Sequence, residues 1–195
     1  YIPKAKPEIV NMEKFKFTQI KGSGNPNNEE FSERMGVLYS LAYAIKMMPK
    51  KGITQDGYFD YTVYPLEGIW DLDEEGRLKN EFDKNNLVYN IMIRQPDFVT
   101  KEVFDLAMEM TKKKKPNKLL DDVVFGEIEE GMCVQMMHIG PYDDEYKSFE
   151  VMKEFIKDNN LVIKSLAHRE IYISDVRKTA PEKLKTVLRY MVEDK

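Results

Sequence analysis

A short segment near the end of the chain carries residue types that acid–base chemistry uses. Residues 168–174 have the sequence HREIYIS. Because successive side chains of a β-strand point to opposite faces, His168, Glu170 and Tyr172 share one face and two isoleucines share the other. We expect the isoleucine face to lie beneath the helices of its own layer. The opposite face then presents a carboxylate beside a phenol, which are candidate groups for proton transfer or ligand binding.

Two environments for Glu170 fit this pattern. On a half-exposed antiparallel sheet, Glu170 is a solvated residue with no further role. If its face meets another part of the protein, Glu170 lies in a cleft, where ligand sites tend to form. The sequence leaves this choice open.

A group of aromatic residues in the first half of the chain is the second candidate. Tyr61, Tyr64 and Trp70, which is the only tryptophan, flank Glu67 in the sequence. They can line one wall of a ligand cleft, or they can be large core residues whose polar atoms reach the surface. Glu67 is either a second acid of this pocket or a solvated residue at a strand edge.

Other catalytic classes find no support in the sequence. The chain has no Gly-x-Ser-x-Gly motif, and its single cysteine, Cys133, lies inside an alternating segment, so neither residue type is predicted as a nucleophile. The two histidines, His138 and His168, have no neighbouring ligands at metal-site spacing. Residues 21–24 lack the rest of a phosphate-binding loop and predict a turn. We therefore predict neither a metal nor another cofactor.

The composition indicates which partners the protein binds and in which cellular compartment it lies. The chain has 30 Lys and Arg residues against 34 Asp and Glu residues, and this net charge of −4 argues against nucleic-acid binding. Its first residues lack the apolar core of a signal peptide, and no apolar run approaches the roughly 20 residues of a membrane span. A single cysteine cannot form an internal disulfide, which fits a reducing compartment. We expect a cytoplasmic protein with one domain over residues 1–195.

The hydrophobic periodicity predicts two halves with a similar order of elements. The first half, about residues 15–94, is predicted to contain a strand with a glycine turn (15–24), a helix (29–48), a bulged strand (59–64 and 66–72) and another strand (87–94). The second half, about residues 132–192, is predicted to contain a strand with a Gly-Pro turn (132–142), a helix capped by Asp143 or Asp144 (143–158) and a strand (166–174). A closing strand or helix follows (181–192), and its apolar spacing fits the helical period better. A helix within residues 100–118 links the halves.

Two motifs in the second half carry a family resemblance. The sequence HIGPY occupies residues 138–142, and REIY occupies residues 169–172 after the predicted helix. With the closing segment, this order resembles the GyrI-like small-molecule-binding superfamily, which includes effector domains of multidrug-responsive regulators. The resemblance covers mainly residues 132–192, whereas the first half agrees only in the order of its elements.

The resemblance implies a fold and a place for Glu170. The implied fold is α+β, with two strand-helix-strand-strand (SHS2) modules related by pseudo-two-fold symmetry and antiparallel sheets around a central ligand cleft. The acidic residue on this strand, here Glu170, would lie at the floor of that cleft. No DNA-binding helix-turn-helix precedes the domain, so we expect a stand-alone member that is a monomer or a weak homodimer.

The resemblance also permits an enzyme. Some stand-alone relatives hydrolyse cyclopropane-containing, DNA-alkylating natural products, which is a detoxification reaction. Water opens a cyclopropane that is conjugated to a dienone, and negative charge develops on the dienone oxygen. Glu170 would hold the water, and Tyr172 or Tyr142 would donate a hydrogen bond to the oxygen. The other predicted ligand contacts, which include aromatic walls for a planar ligand, are Trp70, Tyr61, Tyr64, Glu67 and His168.

Two further functions fit the same residues. A carboxylate among aromatic rings also suits a non-catalytic binder that sequesters lipophilic or cationic small molecules. A protein-interaction module of the gyrase-inhibitor kind is the third function, although a net charge of −4 is only mildly acidic for such a role.

Overall fold

The computed structural model describes residues 2–195, and within this range the chain forms an α+β fold. Its α-helices are α1 (Glu29–Lys46), α2 (Glu74–Leu78), α3 (Lys101–Lys114) and α4 (Glu145–Asp158). Its β-strands are β1 (Glu8–Met12), β2 (Phe15–Ser23), β3 (Leu66–Leu72), β4 (Leu87–Gln95), β5 (Val124–Ile128), β6 (Gly131–Ile139), β7 (Leu161–Ile163), β8 (His168–Tyr172) and β9 (Lys185–Asp194). The predicted α+β class with antiparallel strand pairing is confirmed.

The chain forms two compact units. The first unit contains Glu67–Asp71, Glu129–Lys195 and the residues up to Lys14. Its strands follow the order β1-β6-β9-β8-β3, and β7 also pairs with β9. The helix α4 packs on one face of this sheet, where Met152 and Ile156 contact Val134, Met136 and Leu188. The candidate functional site described below lies on this helix-covered face.

The second unit contains residues 15–66 and 72–128. Its strands follow the order β4-β2-β5, and α1 contacts β2, β4 and α3. The apolar residues that predicted α1 are spaced three or four positions apart, and Leu38, Leu41 and Ile45 are buried as that spacing requires. The helix predicted within residues 100–118 forms as α3 inside this unit, and the Thr100 side chain caps it by accepting a hydrogen bond from the Val103 amide.

Of the two predicted forms of residues 181–192, the helix is wrong, because the segment from Lys185 onwards belongs to the strand β9 and only Pro181–Lys183 form a short 3-10 helix. Strand β9 pairs with β6 on one side and with β8 on the other. Its residues from Thr186 to Tyr190 are buried on both faces of the sheet. A strand that is buried on both faces does not alternate between apolar and polar residues, so apolar positions can fall by chance at helical spacing.

The predicted first arm of the bulged strand, residues 59–64, is also wrong. Only the second arm forms a strand, β3, and residues 59–64 have no regular secondary structure. Their aromatic side chains pack as a loop around Phe98, with ring centroids 5.4 Å away for Phe59 and 5.8 Å away for Tyr61. Aromatic and β-branched residues are common in strands because they suit half-buried surfaces, and this loop packs its aromatic rings together without strand pairing and leaves Phe59 exposed.

The expectation that helices cover the isoleucine face of residues 168–174 is wrong. Glu170 lies opposite Leu188 in the register of β8 and β9, and directly opposed residues share a face. Leu188 belongs to the cluster that α4 covers. Ile171 lies on the other face and contacts Met137 and Val187. The helix therefore covers the face of Glu170.

Strand β3 brings Trp70 onto the same face. In its antiparallel register with β8, Trp70 lies opposite His168 and Gly68 lies opposite Glu170. The Trp70 ring lies across Gly68, since a Cβ atom at Gly68 would be 2.5 Å from Trp70 Nε1 and 3.2 Å from Trp70 Cε2. Real Cβ atoms do not approach so closely, so only glycine accommodates this position of the indole ring.

We expect Gly68→Ala to displace Trp70 and to destabilise the protein by about 1–3 kcal/mol, the usual cost of forcing extra volume into a packed site. Urea unfolding monitored by circular dichroism measures the loss, and tryptophan fluorescence reports on the displaced ring because Trp70 is the only tryptophan. Gly36→Ala is the control, because Gly36 is an exposed position of α1 where an added Cβ atom would meet no neighbouring atom within 4 Å. A parental emission spectrum and stability for Gly68→Ala would contradict this account of Trp70.

Candidate functional site

A chain of hydrogen bonds joins β3 to the acidic residue of β8. The indole nitrogen Nε1 of Trp70 donates to Tyr172 Oη at 2.8 Å. The Tyr172 hydroxyl in turn donates to Glu170 Oε2 at 2.7 Å. His168 Nε2 lies 2.7 Å from Glu170 Oε1 and carries the proton of that contact, because a carboxylate can only accept. Both oxygens of Glu170 are therefore held by donors.

Glu145, the first residue of α4, completes an acidic pair with Glu170. Its residue surface is 8% exposed, and the Glu170 side chain is 13% exposed. Burial raises the pKa of the Glu145 carboxyl to about 9, and the charge of Glu170 and a hydrogen bond between the two carboxyls contribute in the same direction. Near neutral pH the Glu145 carboxyl is consequently protonated and can donate a hydrogen bond to Glu170.

One oxygen of Glu145 remains available. Among the residues that the structure describes, Glu145 Oε1 is buried and has no hydrogen-bond partner. Buried polar atoms almost always have a partner, so an unpartnered carboxyl oxygen beside Glu170 marks a place for a water molecule or a ligand donor. This is the feature of the site that points most directly to a bound molecule.

Aromatic rings surround the acidic pair. Tyr142 meets Tyr172 edge-on with ring centroids 5.9 Å apart, and Phe149 meets the His168 ring at 4.6 Å. Burial raises the pKa of Tyr142 to about 12 and the pKa of Tyr172 well above its usual value, and the charges of Glu145 and Glu170 add to both shifts. Both phenols are protonated at neutral pH and can act as hydrogen-bond donors.

The Gly-Pro corner is a structural element that places Tyr142 and Glu145. His138 Nε2 lies 3.1 Å from the carbonyl oxygen of Pro141, and Nδ1 lies 2.9 Å from Ser148 Oγ. A carbonyl only accepts, so Nε2 donates to Pro141 and Nδ1 accepts from the Ser148 hydroxyl. Gly140 has a φ of +142°, which glycine adopts readily. These contacts tie the end of β6 to the first turns of α4.

The structure brings together four of the residues predicted from the sequence, namely Trp70, Tyr142, Glu170 and Tyr172. A fifth predicted residue, His168, contacts the carboxylate of Glu170. Glu67 lies apart from them on the opposite face of β3. It is buried, and its Oε2 atom accepts a hydrogen bond from Arg169 Nη1 at 2.7 Å. Glu67 is therefore neither solvated nor in contact with the acidic pair.

Tyr61 and Tyr64 belong to the second unit. Their rings stack with centroids 6.2 Å apart. Lys46 Nζ lies 4.9 Å from the centre of the Tyr61 ring, and the Arg94 guanidinium lies 5.2 Å from the Tyr64 ring. Their role in ligand binding stays a prediction.

Glu145 and Phe149 are the site residues that the sequence analysis missed. The inward positions of α4 are 145, 149, 152 and 156, which follow the helical period. A glutamate at the first of these positions is a polar residue on an apolar helix face. That mismatch is the signal that identifies Glu145 from sequence.

Two further observations concern the chemistry of the chain as a whole. Within residues 2–195, no group of three or more His, Cys, Asp or Glu residues is arranged to hold a metal ion. Over the same residues, no helix combines the length and the apolar character needed to cross a membrane.

We expect Glu145→Gln to stabilise the protein increasingly as pH rises. The folded state keeps the Glu145 proton up to a pKa of about 9, whereas the unfolded chain releases it near 4.5. Between these values the folded state binds more protons, so the contribution of Glu145 to stability declines as pH rises. Glutamine imitates the protonated form without titrating.

The measurement is the Tm of both proteins at pH 5, 7 and 9. The advantage of the variant should be small at pH 5 and largest at pH 9, with each kcal/mol of stabilisation adding about 3 °C. Glu150→Gln is the control, because the side chain of Glu150 lies on the same helix and is 69% exposed. A difference in Tm that does not change with pH would show that Glu145 is ionised at neutral pH.

Comparison with known proteins agrees with this fold. Residues 5–192 match the GyrI-like small molecule binding domain. No match was found among curated proteins. The structure resembles a Listeria innocua protein described as a hydrolase, with 38% identity, a TM-score of 0.89 and coverage of 99% of this chain and 94% of that one. An uncharacterized conserved protein from Listeria innocua has 42% identity and a TM-score of 0.90, with coverage of 99% and 95%.

A more distant structure shares only the fold. The C-terminal domain of EcmrR has 15% identity and a TM-score of 0.59, with 97% of this chain and 98% of that chain covered. The family match spans nearly the whole chain and includes both motifs on which the resemblance rested. The chain belongs to the GyrI-like family of small-molecule-binding domains.

Proposed function

We propose that this protein is a hydrolase that detoxifies cyclopropane-containing, DNA-alkylating compounds by adding water to the cyclopropane. The observation that carries the proposal is the pair Glu145 and Glu170, in which a carboxyl whose pKa burial raises to about 9 contacts a second carboxyl beside aromatic rings. Two neighbouring carboxyls in different environments are a common source of a general acid and a general base in one site. The Listeria innocua relative described as a hydrolase supports an enzyme of this fold.

The chemistry assigns Glu170 as the base. In the proposed reaction, a water oxygen forms a bond to a cyclopropane carbon while Glu170 accepts a proton from that water. The bond breaks between this carbon and the spiro carbon, which the cyclopropane shares with the dienone ring. The electron pair of that bond moves into the dienone ring, and the dienone oxygen becomes a phenolate. Protonation of the phenolate completes the addition of one water, so the product is heavier than the substrate by the mass of water.

The donor to the developing phenolate is a tyrosine. The hydroxyl hydrogen of Tyr172 is directed at Glu170, which leaves the Tyr142 hydroxyl as the better placed donor for a ligand oxygen. The raised pKa of Tyr142, about 12, keeps that phenol protonated at neutral pH. A donor that strengthens its hydrogen bond as charge develops lowers the barrier of the reaction.

Water positioning is the role we propose for Glu145. Its buried Oε1 atom has no partner within residues 2–195 and lies on the carboxyl that contacts Glu170. A water that donates one hydrogen to this oxygen would lie close to Glu170 and would be oriented for deprotonation.

One observation favours a second function, the binding of lipophilic cations without chemistry. The Glu170 carboxylate accepts hydrogen bonds from Tyr172 and His168, and the rings of Tyr142, Phe149 and Tyr172 lie around the acidic pair. Aromatic rings with a partly buried carboxylate attract organic cations. Such a binder would need the charge of Glu170 but not its basicity.

We expect Glu170→Gln to separate the two functions. Glutamine keeps the shape of the side chain and removes its charge and basicity. A hydrolase should lose turnover by roughly 10²-fold or more, the usual contribution of a general base, and should still bind a neutral cyclopropanoid. A cation binder should instead lose affinity for a lipophilic quaternary ammonium ion.

The measurement titrates both probes against parent and variant by Trp70 fluorescence and follows the hydrated product by mass spectrometry. Glu150→Gln is the matched control, since it removes one negative charge from the exposed face of α4. Parental turnover by Glu170→Gln would remove Glu170 as the base. No hydrated product from the parent protein would sink the hydrolase proposal and leave the binder.

A further inference from the structure

A series of ionic and polar contacts crosses the first unit on the face of the sheet that the acidic pair does not use. Arg169 Nη1 donates to Glu67 Oε2 at 2.7 Å, and Arg169 Nε donates to Glu130 Oε1 at 2.9 Å. Arg189 Nη1 donates to the second oxygen of Glu130 at 2.7 Å. We call these four residues, Glu67, Arg169, Glu130 and Arg189, the buried ionic chain.

The buried ionic chain continues towards the edge of the sheet through amide contacts. Arg189 Nη2 donates to Gln135 Oε1 at 2.8 Å, and Gln135 Nε2 donates to Glu8 Oε1 at 2.9 Å. These contacts link β3, β8, β9, β6 and β1, which together form the main sheet of this unit. The polar contacts therefore follow the order of the strands from one side of the sheet to the other.

Stability alone does not account for a buried ion pair of this kind. The side chains of Arg169 and Glu67 are only 2% and 3% exposed. Removing two charges from water costs about as much as their attraction returns, and well-packed apolar residues usually stabilise such a position equally well or better. A buried pair does, however, favour one alignment of the elements that carry it, since any other alignment leaves a charge unpaired.

The alignment of β3 on β8 decides the geometry of the candidate site. Only four residue pairs, from Glu67↔Ile171 to Trp70↔His168, join these two strands. Arg169 lies opposite Ile69, so its ion pair with Glu67 is a diagonal contact between the strands. A shift of β3 by two residues would keep every side chain on its face and would change both separations. A shift in one direction moves Glu67 further from Arg169, and a shift in the other direction moves Trp70 further from Tyr172.

We propose that Arg169 and Glu67 are positioning residues that fix the register of β3 on β8. They thereby maintain the hydrogen bonds from Trp70 to Tyr172 and from Tyr172 to Glu170. Arg169 is the neighbour of Glu170 in the chain, and its side chain acts from the opposite face. The effect on catalysis rests on the proposed function, whereas the effect on Trp70 does not. Glu67 then contributes to the site from the opposite face of the sheet, through its ion pair with Arg169.

The test is the double variant Glu67→Leu/Arg169→Met, which replaces the pair by apolar side chains. Glu130 keeps its contact with Arg189 in this variant, so no carboxylate of the chain loses its last cation. We expect a Tm equal to or above that of the parent, together with a changed environment of Trp70. In a proton–nitrogen correlation spectrum, the single indole signal should move or split, and its exchange with solvent should accelerate by 10-fold or more.

The kinetic readout depends on the proposed function. We expect kcat for the neutral cyclopropanoid to fall by at least 10-fold with a smaller change in KM, because alignment of Glu170 is lost while binding surfaces remain. If the parent shows no hydrolysis, the indole signal still tests the register, so failure of the proposed function is distinguishable from failure of this inference. The matched control is Glu150→Gln/Lys153→Met, which removes an exposed ion pair of α4.

An unchanged indole signal and exchange rate in the folded double variant would overturn the proposal. If the double variant does not fold, Arg169→Lys decides. Lysine keeps the charge but cannot span both carboxylates with the planar guanidinium geometry. A moved or split indole signal in folded Arg169→Lys supports the positioning role, and a parental signal overturns it.

Discussion

The hydrogen bond between the Tyr172 hydroxyl and Glu170 is the interaction on which the rest of the site depends. It fixes one carboxylate oxygen, and the His168 contact fixes the other. These donors replace part of the water that a partly buried carboxylate loses. Burial raises the pKa of the neighbouring Glu145, and the charge of Glu170 raises it further.

The buried pair of Glu145 and Glu170 destabilises the folded protein, but it provides the groups that a reaction or a ligand could use. Two carboxyls packed against each other are less favourable than apolar residues at the same positions. One of them, Glu145, keeps its proton at pH values far above the usual pKa of a carboxyl. Sites with such strained protonation are concentrated where function requires them. The Gly-Pro corner supports the arrangement structurally, since His138 ties Pro141 and Ser148 together and so fixes the start of α4.

The two faces of β8 have different tasks. One face carries Glu170 and Tyr172 towards α4, and the other carries Arg169 into the buried ionic chain. Because the side chains alternate along the strand, a rigid contact on one face restricts the groups on the other through the shared backbone. The proposed hydrolase and the proposed cation binder both require this rigidity, since each uses a charge that must lie at a fixed distance from aromatic rings.

The sequence by itself determined which side chains of residues 168–174 share a face, where α1, α3 and α4 lie, and the α+β class. These features depend on neighbours in the chain, through the periods of two and 3.6 residues. It also identified Trp70, Tyr142, Glu170 and Tyr172 before their contacts were known. Glu145 was within reach of the same reasoning, as a glutamate on the inward face of α4.

Only the tertiary structure decided which face of β8 the helix covers, that the closing segment forms the interior strand β9, and that Glu67 pairs with Arg169. Alternation is symmetric between the two faces, so it cannot say which face is covered. The contacts of Trp70 with Tyr172 and of Glu67 with Arg169 each join residues 102 positions apart. Contacts of that separation follow from the order and register of the strands, which arise when the whole sheet assembles and which no local pattern encodes.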